Sequence, residues 1–161
     1  LAAEKNDVTL EDIARLADVF YIGGTKVGAL FGEALVITTP ELLPHFYTTM
    51  KQSGAVLAKG RLLGIQFEAL FEDDLYVEVG RHAVGLAKRL TDALLAKGYE
   101  LPFVTGTNQV FAVVTDEQLA RLREVTTFAY WAALGEGRHV VRFVTSWATR
   151  PEDVDALIAA L

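Results

Sequence analysis

Tyr21-Ile22-Gly23-Gly24-Thr25-Lys26-Val27-Gly28-Ala29-Leu30-Phe31-Gly32-Glu33 sets one lysine among four glycines, with apolar residues on both sides. Val19 to Ile22 and Ala34 to Ile37 are made of β-formers and read as strands. That reading places Lys26 in a tight connection between two largely buried strands. Burial favours the neutral amine of a lysine, the form that adds to a carbonyl. The glycines allow the backbone to approach a flat or phosphorylated ligand closely. The pattern by itself also admits a plain hairpin whose lysine points to water.

The totals narrow the possibilities. At 161 residues the chain is long enough for an ordinary core. With 52% hydrophobic and 22% charged residues it is globular rather than disordered. Fifteen basic against twenty-one acidic side chains leave a net charge of −6, without a Lys/Arg-rich run. That argues against a nucleic-acid partner. The absence of cysteine excludes a disulfide framework and a thiolate metal site, and fits a cytoplasmic protein. No apolar run is long enough for a membrane helix, so no membrane partner is expected. Leu1 to Asp7 has the composition of neither a signal nor a transit peptide.

Outward from the lysine segment, Thr9-Leu10-Glu11-Asp12 predicts a capped helix start. Thr39-Pro40 predicts a second helix to about Gln52, with Pro44 tolerated near its first turn. Lys59 to Phe71 predicts a third helix. Asp73-Asp74 predicts the start of a long one to Lys97, with an apolar row of Val79, Ala83, Leu86, Ala87, Leu90 and Leu94. Gly80 and Gly85 inside it are candidates for close helix packing. Tyr99 to Val104, Asn108 to Val114, Phe128 to Trp131 and His139 to Trp147 read as strands. Thr115-Asp116-Glu117-Gln118 and Thr149-Arg150-Pro151-Glu152 read as helix caps. Residues 1–52 therefore finish an α/β sheet domain, and residues 53–161 form linking helices and a small α+β domain with a short antiparallel sheet. The first region alone leaves strand edges exposed.

Arg142 is the second candidate site residue. A guanidinium inside the apolar run Val140-Val141-Arg142-Phe143-Val144 needs a carboxylate, phosphate or carbonyl partner, and arginine suits a planar carboxylate. The alternative is outward alternation on an edge strand, with Val141 and Phe143 facing in. Lys51-Gln52, Lys59 and Arg61 form a basic cluster that reads first as a solvated face. His45, His82 and His139 share no metal-ligand spacing, so no metal is expected and each reads as a surface or helix-side histidine. Thr145-Ser146 has no histidine arranged to activate it. The glycines fit neither the phosphate-loop nor the dinucleotide pattern.

Gly23 to Ala29 followed by Gly32-Glu33-Ala34 resembles the lysine loop of the threonine aldolase group. These are pyridoxal-phosphate enzymes of fold type I, within the β-eliminating lyase superfamily. The likeness extends in order through Thr9 to Asp18, Lys51-Gln52-Ser53-Gly54, Lys59-Gly60-Arg61, Gln66-Phe67 and Val141 to Thr149, over essentially the whole chain. The fold it implies is the C-terminal part of a fold-type-I large domain plus the small α+β domain.

By that resemblance Lys26 bonds pyridoxal 5'-phosphate, with Thr25 and Gly24 beside it. Arg142 matches the arginine that holds the substrate α-carboxylate, and Lys51 stands where some members have a basic active-site residue. The family's aspartate for the pyridine nitrogen, its ring-stacking histidine and most of its phosphate ligands belong to sequence before Leu1. The chain is accordingly expected to be the C-terminal half of a longer enzyme, and inactive alone. The implied activity is cleavage of threonine-like β-hydroxy-α-amino acids to glycine and an aldehyde. The implied partners are the amino-acid substrate, the N-terminal half and further copies in a homodimer or homotetramer. The alternatives are a β-eliminating lyase of the same superfamily, or a non-catalytic fragment serving assembly.

Overall fold

The computed structural model describes residues 8–161, so the reading of Leu1 to Asp7 lies outside the described residues. The chain divides into two units, residues 8–76 and Val77–Leu161.

In the first unit, helix α1 (Leu10–Leu16) opens on a capping box. Thr9 Oγ1 accepts from the Asp12 backbone N–H at 3.1 Å, and Asp12 Oδ2 accepts from the Thr9 N–H at 2.9 Å. Strands β1 (Val19–Gly23) and β2 (Glu33–Ile37) pair antiparallel, with Tyr21 opposite Leu35. They are not the largely buried strands expected. Tyr21 is 70% exposed and Leu35 49%. A continuous apolar run suggests cover on both faces, but a two-stranded ribbon has one face to bury, and among the described residues the Tyr21–Leu35 face stays open.

The single helix expected from Thr39 to Gln52 is broken. A 3₁₀ turn spans Pro40–Leu42, Leu43 and His45 leave helical geometry, and α2 covers Phe46–Gln52. Pro44 lacks an N–H and pushes the preceding residue towards extended backbone, so it cannot sit within a continuing helix here. Thr39 does not cap; its hydroxyl donates to Asp18 Oδ1 at 2.7 Å. Helix α3 (Arg61–Phe71) follows, then a 3₁₀ turn Glu72–Asp74. Asp73 and Asp74 carry φ of +50° and +60°. They form a left-handed elbow ahead of α4 (Leu75–Ala96) rather than its first turn. Short polar side chains are among those that tolerate this region.

The second unit is organised by a three-stranded sheet. Strands β3 (Gln109–Thr115), β4 (Ala129–Gly135) and β5 (Arg138–Val144) lie in the order β3-β5-β4, all antiparallel. Helices α5 (Asp116–Val125) and α6 (Pro151–Ala160) complete it. The helices supply Leu86, Leu90 and Leu94 from α4, Leu122 from α5 and Leu157 from α6. They cover the sheet face formed by Val110, Ala112, Val114, Val141 and Phe143. Burying a side chain such as Leu90 or Leu94 contributes about 1.5–3 kcal/mol. Gly85 has open space where a Cβ would stand, so it marks no close packing, whereas Gly80 is buried.

Tyr99 to Val104 is not the strand expected. Pro102 cannot donate to a ladder, and the segment contributes one sheet-edge bond, Val113 N–H to the Glu100 carbonyl at 2.8 Å. Tyr99 instead joins the core. The β4–β5 turn is Glu136-Gly137, both at positive φ, as the tight hairpin turn that matches strand twist requires. Thr115 and Gln118 make the expected capping box at α5. At α6 Thr149 does not cap; it accepts the Ser146 N–H at 2.9 Å. Arg150 pairs with Asp153 and, through that hydrogen bond, holds its carboxyl below the usual carboxylate range. Among the described residues no helix is long and apolar enough to cross a membrane.

Leu122 is fully buried at the meeting of α5 and the sheet. Leu122→Ala is expected to cost about 2–5 kcal/mol, and Thr115→Ala about 1 kcal/mol. Urea denaturation monitored by circular dichroism measures both; equal, negligible shifts would contradict this packing.

Candidate active site

Lys26 lies at the centre of a 3₁₀ turn, Thr25–Val27, between β1 and β2. The Gly24 carbonyl accepts from the Val27 and Ala29 N–H groups, each at 3.0 Å. Val27 is 6% and Ala29 8% exposed, so these two small apolar side chains turn inward and anchor the bend. Gly24 is buried, whereas Thr25 and Lys26 are exposed. The expectation of a shielded lysine therefore does not hold within the described residues. The physical reason is the phase of the turn: Val27 takes the inward position next door and directs Lys26 outward. Among the described residues the amine has no hydrogen-bond or ion-pair partner.

The bend is fixed by glycines at particular points. A Cβ on Gly24 would stand 2.8 Å from Phe67 Cζ and 2.9 Å from Ala29 Cβ. Gly32 has φ of +94°, and a Cβ there would run into Leu63 Cδ2. Around Gly23 there is open space.

Arg142 belongs to the second unit, on the central strand rather than an edge. Val141 and Phe143 do face the helix-covered core. The opposite face, which carries Arg142, is not simple solvent surface. Phe111, Val113 and Val140 form a second buried apolar cluster there, with Ala132 against it. The Arg142 guanidinium lies 5.1 Å from the centre of the Trp131 ring. Trp131 meets Phe111 edge-on at 5.1 Å, and Phe103 packs on Phe111 at 4.5 Å. One nitrogen, Nη1, donates to Gln109 Oε1 at 3.1 Å. Nε is buried and has no partner among the described residues. A desolvated N–H of a cation without an acceptor is costly, and a carboxylate is the group that best satisfies a guanidinium.

Gln109, Phe111 and Trp131 were not singled out by the sequence. Alternation along β3 does put 109 and 111 on one face, but only the register, Phe111 opposite Arg142, shows that this face is the arginine's. Lys51 is exposed in the last turn of α2, and Lys59 is likewise exposed. Neither makes a hydrogen bond or ion pair among the described residues. His82 Nε2 lies 2.8 Å from the Thr149 carbonyl. His139 bridges Asp116 at 2.7 Å and Tyr130 at 3.0 Å, and is mostly enclosed rather than a free surface histidine. No cluster of metal-binding side chains occurs among the described residues.

The mixed architecture is shared with part of a serine palmitoyltransferase from Sphingomonas wittichii, at a TM-score of 0.59 and 17% identity over 93% of this chain and 40% of that one. At that identity the likeness shows the fold alone, and it is the fold-type-I architecture the motifs implied. A threonine aldolase from Leishmania major matches far more closely, at a TM-score of 0.91 and 41% identity over 98% of this chain and 47% of that one. A low specificity L-threonine aldolase of Pseudomonas aeruginosa is 30% identical over 141 residues, 87% of this chain and 40% of the relative. That of another Pseudomonas strain is 32% identical over 143 residues, 88% and 40%. No family model matches the chain. The chain is thus homologous to the threonine aldolases and spans less than half the length of these relatives.

The two glycine contacts generate a contrast. Gly32→Ala is expected to destabilise by about 1–3 kcal/mol, from positive φ and the clash with Leu63. Gly23→Ala is expected to change stability by less than about 0.5 kcal/mol. Denaturant midpoints of the two variants check this; equal values would contradict the packing at Gly32.

Proposed function

We propose that this chain forms part of a pyridoxal-phosphate-dependent carbon–carbon lyase that cleaves threonine-like β-hydroxy-α-amino acids to glycine and an aldehyde. The observation that carries the reading is the close match, in backbone and sequence, to the Leishmania major threonine aldolase across nearly all of the chain. The residues present fit the ends of the chemistry that fall within this chain. An unpaired amine on a rigid glycine bend suits attachment of the cofactor aldehyde, and a guanidinium with an orphaned buried N–H suits a carboxylate.

Lys26 is the attachment residue in this reading, with Gly24 and Thr25 forming the adjoining backbone. Arg142 would hold the substrate α-carboxylate and so orient the amino acid for the reaction. Trp131 and Phe111 exclude water from one side of the guanidinium, which strengthens that ion pair. Lys51 is a weaker candidate for an anionic group of substrate or cofactor. When bound, pyridoxal phosphate supplies the electron sink for carbon–carbon cleavage.

Within the same proposal, residues 1–52 complete the cofactor-binding domain and residues 53–161 supply the linking helices and small domain. The exposure of Lys26 and of the Tyr21–Leu35 face supports further cover, from the remainder of a longer chain or from neighbouring copies in a homodimer or homotetramer. It also supports the 161 residues alone being inactive. A cytoplasmic location accords with this assignment.

In the full-length protein, Lys26→Ala is expected to abolish the visible absorbance of the cofactor–lysine linkage and to reduce turnover at least about 10³-fold. Arg142→Lys is expected to raise KM for the amino acid by about 10–100-fold, since an ammonium cannot make the bidentate pair. Release of glycine identifies an aldolase, while pyruvate with ammonia identifies the β-eliminating alternative. An unchanged absorbance band in Lys26→Ala defeats the attachment role.

A further inference from the structure

We propose that Gln66 and Tyr76 are positioning residues for the Lys26 bend, holding it at its two ends without touching the lysine. The inference rests on Lys26 being the attachment residue, but the geometry is independent of that role. Gln66, on α3, faces the far end of the bend. Its Oε1 accepts the Leu30 N–H at 2.6 Å and the Phe31 N–H at 3.4 Å. Its Nε2 donates to the Leu62 carbonyl at 2.9 Å, which aims the amide oxygen at the bend. Tyr76 secures the near end, where its hydroxyl donates to the Gly23 carbonyl at 3.2 Å.

Between these two points the same elements press on the glycines. Phe67 sits against Gly24 and Leu63 against Gly32. Phe67, Phe71 and Tyr76 form a ladder of stacked rings, 6.5 Å and then 5.2 Å between centres. The Tyr76 phenol is thereby set in place, and burial pushes its pKa up, which favours the neutral hydroxyl that donates.

The need for such a clamp follows from composition. Four glycines give this connection more conformational freedom than ordinary residues would. Leu30 and Phe31 lie where the chain has left the turn and not yet entered β2, so no strand partner takes their N–H groups. Gln66 supplies that acceptor from outside the hairpin. An amine that must meet a carbonyl in one geometry is sensitive to displacements of an ångström, so fixing both ends of its carrier acts on reactivity rather than on substrate affinity.

The test uses the full-length, cofactor-loaded protein and its cofactor-free form. Gln66→Leu is expected to raise amide exchange at Leu30 and Phe31 by about tenfold or more in both forms. It should lower kcat by about 10–100-fold with KM for the amino acid changed less than about threefold. It should also shift the pH at which the linkage absorbance titrates. Gln66→Glu keeps the acceptor but loses the donor to the Leu62 carbonyl, so it should recover only part of the wild-type exchange and turnover. Tyr76→Phe, which removes one oxygen only, should reproduce the kcat effect in milder form. The proposal is overturned if Leu30 and Phe31 exchange at the wild-type rate in Gln66→Leu. It is equally overturned if exchange rises but kcat and the titration stay unchanged, which would leave Gln66 a purely structural brace. Should Lys26→Ala keep its absorbance while the exchange result holds, the attachment reading has failed and the clamp has not.

Discussion

Strand β5 is covered on both faces, and that constraint organises the second unit. Val141 and Phe143 belong to the core beneath α4, α5 and α6. Val140 lies in the smaller cluster on the reverse side. A charged residue in the middle of such a strand is left only partly exposed, as Arg142 is. Arg142 is accommodated by an aromatic ring over its plane and one amide oxygen at one nitrogen. That leaves Nε without an acceptor among the described residues. Buried cationic groups are normally paired, and this N–H is the exception among the described residues.

The first unit solves a different problem. Its ribbon has too few strands to bury both sides, and its sharpest bend is rich in the residues that hold shape least well. Order is imposed from α3, whose side chains reach across more than thirty positions of sequence to the bend. The lysine is presented outward by this scaffold because Val27 and Ala29 occupy the inward places. The Lys26 side chain is thus exposed while the backbone of its bend is held in place.

Local signals in the sequence were reliable wherever a short-range bond decides the outcome. The capping boxes at Thr9 and Thr115 and the apolar row of α4 are read directly from spacing. Failures fall where a single residue overrides a period. Pro44 splits a helix that the pattern continues, and Pro102 keeps Tyr99 to Val104 out of the sheet. Asp73 and Asp74 look like helix starters but use their tolerance of positive φ to turn the chain. For the candidate site, Lys26 and Arg142 stand out as polar residues in apolar runs. Gln109, Trp131, Gln66 and Tyr76 do not, because what makes them important is strand register and helix docking, and neither is written in any one segment.

The contact between Gly24 and the Phe67 ring also bears on how such a chain can drift over generations. Trimming the ring at 67 would not make room for a methyl group at 24, because the Ala29 methyl and the Gly32 carbonyl crowd the same point from the other sides. Position 24 should therefore stay glycine in every lineage that keeps this bend, while position 67 is free to lose bulk on its own.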